Sequence, residues 1–339
     1  MPRALVTGGA GFIGSALVRA LVARDYDVRV YDDLSVGDPG NLGGTGAELV
    51  RGDVRDLDAL IAAARGCDTA FHLAAGAGVV QSIEEPLVNF DQNARGTLVA
   101  LEAARRADVG RFVFSSSNAP LGDGAYPARE DKPVAPLSPY GASKAVGEAY
   151  CSAFHGAYGM HAVTVRFSNA YGPRSAHKGN VIPLFIRRLR AGEELIVYGD
   201  GEQTRDFVFC EDLADGLVRA AEADVVNGSR VLGEADPNHA ARELGIKLFA
   251  QLLSLLTWSK VTDPACGYRA IRTEALRGLE FRQDQFHNSE FIVEASKKHL
   301  RTIEVPVTVT NRLSGQSKKP PHFRYGMGFA NALMRAWLR

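Results

Sequence analysis

The chain has 339 residues, and its 39 lysines and arginines balance its 39 aspartates and glutamates. This length allows one large or two modest domains, and the balanced charge argues against binding nucleic acid or a membrane surface through bulk charge. The four cysteines show no C-x-x-C spacing, so free thiols in a reducing compartment are expected rather than disulfides or a zinc site. The first apolar run begins without a signal peptide, and the stretch 244–258 is too short to span a bilayer. We therefore expect a cytoplasmic protein that binds neither a membrane nor a metal.

A glycine-rich turn follows the first predicted strand. Residues 4–7 form a short apolar run typical of a buried parallel strand, and glycines then stand at Gly8, Gly11 and Gly14. Glycines at this spacing allow a tight turn and a close approach of the backbone to a pyrophosphate, which would bind at the N-terminus of the following helix. The turn therefore predicts a dinucleotide site.

An acidic pair after the second strand indicates which dinucleotide is bound. Residues 28–31 form the strand, and Asp32 and Asp33 follow about 20 residues past the turn, where an acid can bind the ribose hydroxyls. An acid at this place repels the extra phosphate of NADP, so NAD is the predicted cofactor. The alternative is that Asp32 only caps a turn.

Two further apolar strands end in polar or small residues. Residues 49–54 place Asp53 where it could reach the adenine amine, and residues 69–73 lead into small residues suited to lying against a cofactor. His72 is interpreted as a packed, hydrogen-bonded core residue rather than a catalyst. Alternating strands and helices with this loop predict an α/β fold with a doubly wound parallel sheet.

The predicted chemical centre combines a serine run with a tyrosine and a lysine. Residues 111–114 form another buried strand, and the serines 115–117 stand at its C-terminal end, where open α/β sheets bind ligands. A helix is predicted to begin at residues 138–139, with proline in its first turn, so that Tyr140 and Lys144 share one face.

These residue types suit the oxidation of a secondary alcohol, in which the hydroxyl proton is removed as hydride leaves the same carbon. Tyrosine ordinarily titrates at about pH 10, so the Lys144 ammonium, helped by the positive nicotinamide, is expected to lower the pKa of Tyr140. Ser117 would hydrogen-bond the reacting oxygen. A Tyr-x-x-x-Lys pair alone is weak evidence, and it becomes informative because it follows a dinucleotide loop and a serine-ended strand.

The motifs closely resemble those of the extended short-chain dehydrogenase/reductases, in particular the nucleotide-sugar 4-epimerases, over about residues 3–226. The similar segments, in the family's order, are 93–97, 114–117, 122–123, 166–173, 180–183, 198–201 and 204–207. The resemblance implies a Rossmann domain at 1–165, to which 205–226 return. A smaller substrate lobe would consist of 166–204 and 227–339. A homodimer, through the helix from about residue 91 and the helix that carries Tyr140, is also implied.

The residues and the resemblance together define three groups of site residues. The catalytic residues are Tyr140, Lys144 and Ser117. The residues expected to bind NAD are Gly8, Gly11, Phe12, Ile13, Gly14, Asp32, Asp33, Asp53, Val54, Leu73, Ala74, Ala75, Asn93, Ser115, Tyr140 and Lys144. The residues expected to bind a UDP-sugar are Ser116, Ser117, Asn118, Tyr140, Asn169, Arg174, His177, Asn180, Val181, Tyr198 and Arg205.

The neighbours of Ser117 separate the reactions of the family. Sugar 4,6-dehydratases resemble this fold but need an Asp–Glu pair beside the serine or threonine to eliminate water, and UDP-glucuronate decarboxylases typically have Glu there. Asn118 and Ala119 follow Ser117 here, so elimination is not expected. Simple 4-epimerisation needs no further acid: NAD takes hydride from C4, the 4-keto sugar turns over, and the hydride returns to the other face. Residues 120–122 depart from the family's Val-Tyr-Gly, which alters a wall of the sugar pocket.

The loop at residues 174–179 bears on the choice of sugar. Glucuronate epimerases resemble this scaffold and place a cation in this loop to meet the C6 carboxylate. Arg174, His177 and Lys178 would suit such a contact, and the alternative is a solvated surface loop. We expect interconversion of UDP-glucuronate and UDP-galacturonate, with UDP-glucose and UDP-galactose as the alternative pair.

After about residue 226 the epimerase pattern stops. Residues 227–339 resemble the C-terminal part of a family 2 polyprenyl-phosphate glycosyltransferase, but the nucleotide-binding and metal-binding motifs of such enzymes would lie upstream, so transferase activity is not expected. Asp263 and Arg269 are therefore interpreted as structural or vestigial. The leucines at 244, 248, 252, 255 and 256 have helical spacing and predict a core or docking face. A non-catalytic NAD-binding scaffold, produced by gene fusion, is the second alternative function.

Overall fold

The computed structural model describes residues 1–123, 133–176, 179–197, 199–202, 205, 207–223, 225–229, 240–264, 269–271, 279, 287–306, 331, 333–335 and 337. The chain divides into two compact units, Met1–Ala221 and Glu222–Arg339. The predicted binding residues His177 and Tyr198 lie outside the described residues, as does Cys266.

A six-stranded parallel sheet forms the centre of the first unit, with the strand order β3-β2-β1-β4-β5-β6. The strands are β1 (Arg3–Thr7), β2 (Asp27–Asp32), β3 (Glu48–Arg51), β4 (Thr69–His72), β5 (Arg111–Ser115) and β6 (His161–Val165). The strand order reverses between β1 and β4, and the crevice at such a reversal is where open α/β sheets bind ligands. The predicted fold, a doubly wound parallel sheet, is confirmed.

Helices alternate with these strands along the chain. They are α1 (Phe12–Val22), α2 (Leu57–Ala64), α3 (Val79–Glu84), α4 (Pro86–Asn89), α5 (Gly96–Arg106), α6 (Pro139–Tyr158), α7 (Val181–Ala191), α8 (Cys210–Glu222), α9 (Ala240–Thr257) and α10 (His287–Lys297). A π-helical segment, Phe90–Arg95, joins α4 to α5. Among the described helices, none is both long and apolar enough to cross a membrane.

Two apolar clusters cover the two faces of the sheet, because side chains alternate along each strand. Val6 belongs to the cluster that contains Leu17 of α1 and Leu217 of α8. Its neighbour Leu5 belongs to the cluster that contains Leu101 of α5 and residues of α2 and α6. The strand ends are thus held between two helical layers, which gives the site at their C-terminal edge a rigid base.

A short parallel pair of strands lies outside the main sheet of the first unit. It consists of β7 (Asn169–Tyr171) and β8 (Phe207–Phe209), with Asn169 opposite Phe207. These strands carry parts of two segments that the sequence assigns to sugar binding.

The second unit contains a three-stranded sheet of its own. The strands are β9 (Val225–Ser229), β10 (Arg269–Ile271) and β11 (Thr302–Pro306), in the order β10-β9-β11. Strand β9 pairs parallel to β11 and antiparallel to β10. Asp263 is fully buried, and its backbone N–H donates to the Glu304 carboxylate on β11 at 3.2 Å, which agrees with a structural role.

Helix α9 packs only part of the predicted leucine set, Leu256, against the core of the second unit, and the docking role of the set stays a prediction. Leu253 is fully buried in the core of the second unit, with Phe249 and Leu256 packed against it. Leu248 and Leu255, two of the predicted core or docking leucines, are exposed. The apolar residues of this helix outnumber the positions on one face, so the leucine spacing alone did not identify the buried side.

Three cysteines lie among the described residues. Cys67, Cys151 and Cys210 are buried and unpaired, as the sequence predicted. Burial raises the pKa of the Cys151 thiol to about 12.

Candidate active site

The glycine turn after β1 is held together by backbone contacts that leave no room for side chains. Gly8 has a φ of 70°, and a Cβ placed on it would lie 2.7 Å from the Ala74 amide nitrogen. A Cβ on Gly14 would lie 2.1 Å from the Gly8 carbonyl oxygen. The Gly11 N–H donates to that same oxygen at 3.1 Å. The turn therefore requires glycine at positions 8 and 14, where the backbone approaches neighbouring backbone too closely for a side chain.

Helix α1 begins directly at this turn. Gly11 is its N-cap and supplies no capping side chain, and Phe12 and Ile13 form its first turn with their side chains packed into the apolar cluster. The N–H groups of a helix's first turn and its dipole attract phosphate. A cradle that a Cβ would fill, followed by such a helix end, fits the diphosphate of a dinucleotide.

Asp32, at the end of β2, is buried against the turn. One carboxylate oxygen accepts from the Ala10 N–H at 2.9 Å, and the other accepts from the Leu34 N–H at 2.9 Å. Burial raises its pKa, and these two backbone bonds oppose the rise. The carboxylate thus caps the turn that follows it, as the alternative interpretation predicted. Each oxygen retains a second lone pair, so ribose binding by Asp32 stays a prediction.

The predicted adenine side of the site is charged. Asp53 forms an ion pair with Arg55, with 2.5 Å between Oδ2 and Nη2, and Arg55 also pairs with Asp91 at 2.5 Å. The hydrogen bond from Arg55 lowers the pKa of Asp53. Val54 lies against Gly96 at the start of α5. Asp33 instead accepts from the backbone and hydroxyl of Ser35 at the exposed side of the turn.

The loop after β4 is tied to its surroundings by Asn93, in the π-helical segment. The Gly76 N–H donates to Asn93 Oδ1 at 2.8 Å, and Asn93 Nδ2 donates to the Gly76 carbonyl at 3.1 Å and to Ser143 Oγ at 3.0 Å. Asn93 is buried and so joins the loop to α6. The Leu73 and Ala74 N–H groups donate to the backbone and hydroxyl of Thr7, which places the predicted cofactor loop beside the glycine turn.

His72 is confirmed as a core residue. Its Nδ1 is hydrogen-bonded to Thr7 Oγ1 at 2.8 Å and its Nε2 to Thr97 Oγ1 at 3.2 Å. Burial, with a smaller contribution from Lys144, lowers its pKa to about 3. With this pKa and a hydrogen bond at each ring nitrogen, the imidazole stays neutral at physiological pH and is not suited to act as a general acid or base.

Helix α6 begins where the sequence predicts and presents the tyrosine to the serine run. Ser138 is the N-cap, its Oγ accepts from the Gly141 N–H at 3.1 Å, and Pro139 is the first helical residue. The Tyr140 hydroxyl interacts with the Ser117 side chain, and this interaction acts to lower the pKa of Tyr140. The two predicted catalytic groups are therefore brought into direct contact.

Lys144 is buried one turn further along the same face of α6. Its Nζ donates to the Ser115 carbonyl at 2.9 Å and lies 5.0 Å from the centre of the Phe114 ring. Burial lowers the pKa of Lys144 to about 8. The lysine thus fixes the backbone of the serine run, and the predicted grouping of Ser115, Ser117, Tyr140 and Lys144 is present in the structure.

The expected lowering of the Tyr140 pKa is wrong for the protein's own groups. Burial raises the pKa of Tyr140, and only the hydrogen bond with Ser117 opposes that rise. The physical reason is that desolvation of the phenolate outweighs the interaction with Ser117, while Lys144 is directed to the Ser115 carbonyl. At neutral pH the phenol of the protein alone is protonated.

Ser116 is bonded to residues that were not among the predicted site residues. Its Oγ donates to Glu148 Oε1 at 2.5 Å, and Arg166 donates to the same carboxylate at 2.8 Å through Nε and at 2.5 Å through Nη2. A signal was present: Glu148 follows Lys144 by one helical turn on the face that carries Tyr140. A sugar contact by the Ser116 hydroxyl stays a prediction.

The other predicted sugar-binding residues lie at separate places of the first unit. Asn118 is exposed, and its N–H donates to the Phe167 carbonyl at 3.2 Å. Asn169 is on β7, with its amide nitrogen 3.3 Å from Ser168 Oγ. Asn180 is the N-cap of α7, and Val181 is its exposed first residue. Arg205 precedes β8.

Arg174 lies on the cofactor side of this unit. Its Nε donates to Ser15 Oγ at 3.2 Å, and Ser15 in turn donates to the Phe12 carbonyl in the first turn of α1. The backbone of Arg174 has a φ of 67°, which is uncommon for a residue with a side chain. The guanidinium is thus held against the helix that follows the glycine turn.

The sequence is similar to a known protein family and to individual proteins of that kind. A model of the NAD dependent epimerase/dehydratase family matches residues 4–233. The chain is 43% identical over 222 residues to a putative UDP-glucose 4-epimerase of Methanocaldococcus jannaschii, which covers 64% of this chain and 72% of the relative. It is 38% identical over 234 residues to a dTDP-glucose 4,6-dehydratase of an Actinoplanes species, which covers 65% of this chain and 72% of the relative.

Solved structures resemble the chain at similar levels. The UDP-glucose 4-epimerase of Thermus thermophilus, in complex with NAD, has a TM-score of 0.61 and 38% identity, and covers 65% of this chain and 74% of that chain. The UDP-N-acetylglucosamine 4-epimerase of Methanobrevibacter ruminantium, in complex with UDP-N-acetylmuramic acid, has a TM-score of 0.63 and 31% identity. This second match covers 87% of this chain and 97% of that chain.

Proposed function

The chain belongs to the NAD dependent epimerase/dehydratase family, and on that premise we propose that it is a nucleotide-sugar 4-epimerase. The observation that carries the proposal is the bond from Lys144 Nζ to the Ser115 carbonyl at the C-terminal end of β5, with Tyr140, which interacts with Ser117, one turn earlier on the same helix. The prediction of NAD as cofactor is confirmed by the family match, and the glycine cradle with its helix N-terminus fits the diphosphate of that cofactor.

Epimerisation is favoured over dehydration by the residues beside Ser117. The relatives include 4,6-dehydratases, so family membership alone leaves both reactions open. Eliminating water from a sugar requires an acid and a base in addition to the tyrosine, and neither Asn118 nor Ala119 carries a carboxyl group. The neighbouring carboxylate of Glu148 accepts three hydrogen bonds, one from Ser116 and two from Arg166.

The chain's own part of the reaction is to move one proton and hold one oxygen. When bound, NAD supplies a positively charged ring that reversibly accepts a hydride from the sugar's C4. As that carbon is oxidised, the C4 hydroxyl loses its proton to Tyr140 and Ser117 holds the oxygen in place. The carbonyl of the 4-keto sugar then accepts hydrogen bonds from the same two hydroxyls. Reduction from the other face takes the proton back from Tyr140 and leaves the protein unchanged.

Lys144 supports this cycle through the backbone. Its ammonium donates to the Ser115 carbonyl, so it fixes the strand end that carries Ser117. Because burial brings its pKa to about 8, the ammonium predominates at neutral pH and its charge favours the phenolate form of Tyr140. Burial opposes that effect, so the positive ring of NAD is the additional charge that the proposal requires.

Two pairs of sugars are candidate substrates. Relatives that act on UDP-glucose support the UDP-glucose and UDP-galactose pair, which we propose first. The cationic loop at 174–179 supports the UDP-glucuronate and UDP-galacturonate pair. Arg174 weakens that second argument, because its Nε is bonded to Ser15 on the cofactor side. The assignments of Asn169, Asn180 and Arg205 to the UDP part remain part of the proposal.

The test is an epimerisation assay with UDP-glucose and UDP-glucuronate side by side, in which the product sugars are separated by chromatography. Conversion of UDP-glucose supports the first pair, and conversion of UDP-glucuronate alone replaces it with the second. A product with the mass of the substrate minus water would overturn epimerisation in favour of dehydration. No conversion of either sugar by protein that retains NAD would favour a non-catalytic NAD-binding scaffold.

The tail after residue 226 and the assembly of the protein stay outside this assignment. The glycosyltransferase likeness of residues 227–339, the homodimer and the cytoplasmic location stay predictions. Measuring the mass of the protein in solution would test the homodimer directly.

A further inference from the structure

We propose that Glu148 is a positioning residue that holds the serine run in register with Tyr140 and Lys144 by linking Ser116 to Arg166. The proposal rests on the proposed function, because it assigns a role in the proton transfer of that reaction. Nothing in the sequence argument gave Glu148 a part in the site.

Three successive turns of α6 contact three consecutive serines. Lys144 Nζ donates to the Ser115 carbonyl at 2.9 Å, Glu148 Oε1 accepts from Ser116 Oγ at 2.5 Å, and the Tyr140 side chain interacts with Ser117. Because each of the three serines contacts α6, the position of the serine run along that helix and its rotation are both determined. The middle contact therefore decides whether the outer two, which involve the predicted catalytic groups, have productive geometry.

Arg166 gives the middle contact its rigidity. Its guanidinium donates to both carboxylate oxygens of Glu148, at 2.8 and 2.5 Å, in the fork geometry that fixes a carboxylate most firmly. The Glu148 side chain is 12% exposed and that of Arg166 is 23% exposed, so solvent competes little with these bonds. A charge-assisted bond from a buried hydroxyl to a carboxylate held in this way is short and directional.

The backbone brings Arg166 to this place. The Ser116 N–H donates to the Val165 carbonyl at 2.9 Å, which continues the pairing of β5 and β6 by one residue beyond the strands. Arg166 is the next residue of the chain. The serine run is thus bonded on one side to the end of β6 and on the other to α6, with Glu148 joining the two.

A role as proton donor or acceptor does not suit Glu148. The hydrogen bonds to its carboxylate come from donors, the Ser116 hydroxyl and the Arg166 guanidinium, and its contact among the serines is with Ser116, whereas Tyr140 interacts with Ser117. Its effect on the reaction is therefore indirect, through the strand end. The charged groups around the serine run are Lys144 and Glu148 on the helix of Tyr140 and Arg166 beyond β6. The polar groups are Ser117, and Ser82 on α3, which accepts from the Tyr140 N–H.

The first measurement compares the kinetics of Ser116→Ala and Glu148→Gln with those of the unaltered protein, all loaded with NAD. Ser116→Ala keeps the pair of Glu148 and Arg166 and removes only its link to the serine run, so folding is little disturbed. We expect kcat to fall about tenfold, as for the loss of one hydrogen bond to a charged group, with KM within about twofold. The double variant should lose no more than Glu148→Gln alone, because both changes break one chain of contacts.

The matched control is Glu102→Gln. Glu102 on α5 also accepts from two arginines, Arg105 and Arg106, but it contacts none of the serines. The kcat of Glu102→Gln should equal that of the unaltered protein. Equal losses in the control and in Ser116→Ala would overturn the proposal, as would an unchanged kcat in Ser116→Ala.

A second measurement separates this proposal from the proposed function. The ionisation of Tyr140 in NAD-loaded protein is followed by phenolate absorbance, as the difference between the protein and its Tyr140→Phe variant. The midpoint should move to higher pH in Ser116→Ala and stay in place in Glu102→Gln. If no sugar is converted but the midpoint moves, the sugar assignment fails and the positioning role stands. A midpoint that does not move overturns the positioning role whatever the sugar result.

Discussion

The glycine turn and the serine–tyrosine centre differ in what holds them in shape. The turn is made within a few consecutive residues by backbone packing, and an added Cβ on Gly14 would lie 2.1 Å from a carbonyl oxygen. The centre is made of side-chain bonds between β5, α6 and the end of β6. The turn should therefore tolerate no substitution, whereas the centre should lose activity in steps, according to the bond that is removed.

The largest effect is expected at the turn. Gly14→Ala should abolish both NAD retention and activity, because neither the Gly8 carbonyl nor the Gly9 backbone can move without opening the turn. The measurement is the amount of NAD released per chain on denaturation. Gly156→Ala on α6 is the control, since its Cβ would meet nothing within 4 Å and alanine favours a helix. Normal NAD retention in Gly14→Ala would show that the turn adapts.

The next largest effect is expected at Tyr140, where a substitution should lower activity and leave NAD binding unchanged. Tyr140→Phe should lower kcat on the order of a thousandfold, since proton transfer to a positioned side chain is lost, and NAD should stay bound. Tyr150→Phe, further along α6, should retain full activity. The two variants are compared by their initial rates and by the amount of NAD that stays bound. Substantial turnover in Tyr140→Phe would exclude this tyrosine as the proton acceptor.

A smaller effect is expected on stability at alkaline pH. Burial lowers the pKa of Lys144 from its ordinary value of 10.5 to about 8, so between these pH values the unfolded chain holds a proton that the folded chain has released. Stability from this group should therefore rise as pH rises through that window, by up to about 3 kcal/mol. The gain should disappear in Lys144→Met and persist in Lys247→Met. Melting temperatures measured between pH 8 and 10 test this gain in stability. The same pH dependence in the unaltered protein and in Lys144→Met would contradict the lowered pKa of Lys144.

The smallest effect is expected on NAD retention when Arg174 is changed. Arg174→Gln should weaken NAD retention about fivefold, because the guanidinium is bonded to Ser15 beside the turn. The relative rates on UDP-glucose and UDP-glucuronate should stay the same. Arg190→Gln on α7 is the control. A selective loss of activity on UDP-glucuronate would instead restore the carboxylate contact expected from the sequence.

Local patterns explain why much of the site could be predicted. The N-cap Ser138 and Pro139 determine where α6 begins, and the helical repeat then places Tyr140 and Lys144 on one face. The glycine spacing determines the turn for the same reason, since the steric limits involve neighbouring residues. His72 was interpreted correctly as a core residue because a polar side chain within a buried strand must find partners, and it does.

The errors and omissions come from contacts between distant parts of the chain. The protein's own groups do not lower the pKa of Tyr140, because the burial of a side chain is not visible in a motif, and the lowering expected with NAD bound stays a prediction. The buried face of α9 depends on which residues of the second unit pack against it. Helical spacing alone offered several faces for that packing.

By itself the sequence determined the α/β sheet, the NAD turn and the tyrosine–lysine face, because each follows from backbone sterics or from the periodicity of one element. Only the tertiary structure decided that Ser116 bonds to Glu148, that Arg166 binds the same carboxylate, and that Arg174 donates a hydrogen bond to Ser15. These bonds join residues far apart in the chain. Their formation depends on how strands and helices pack, and no local pattern of residues encodes it.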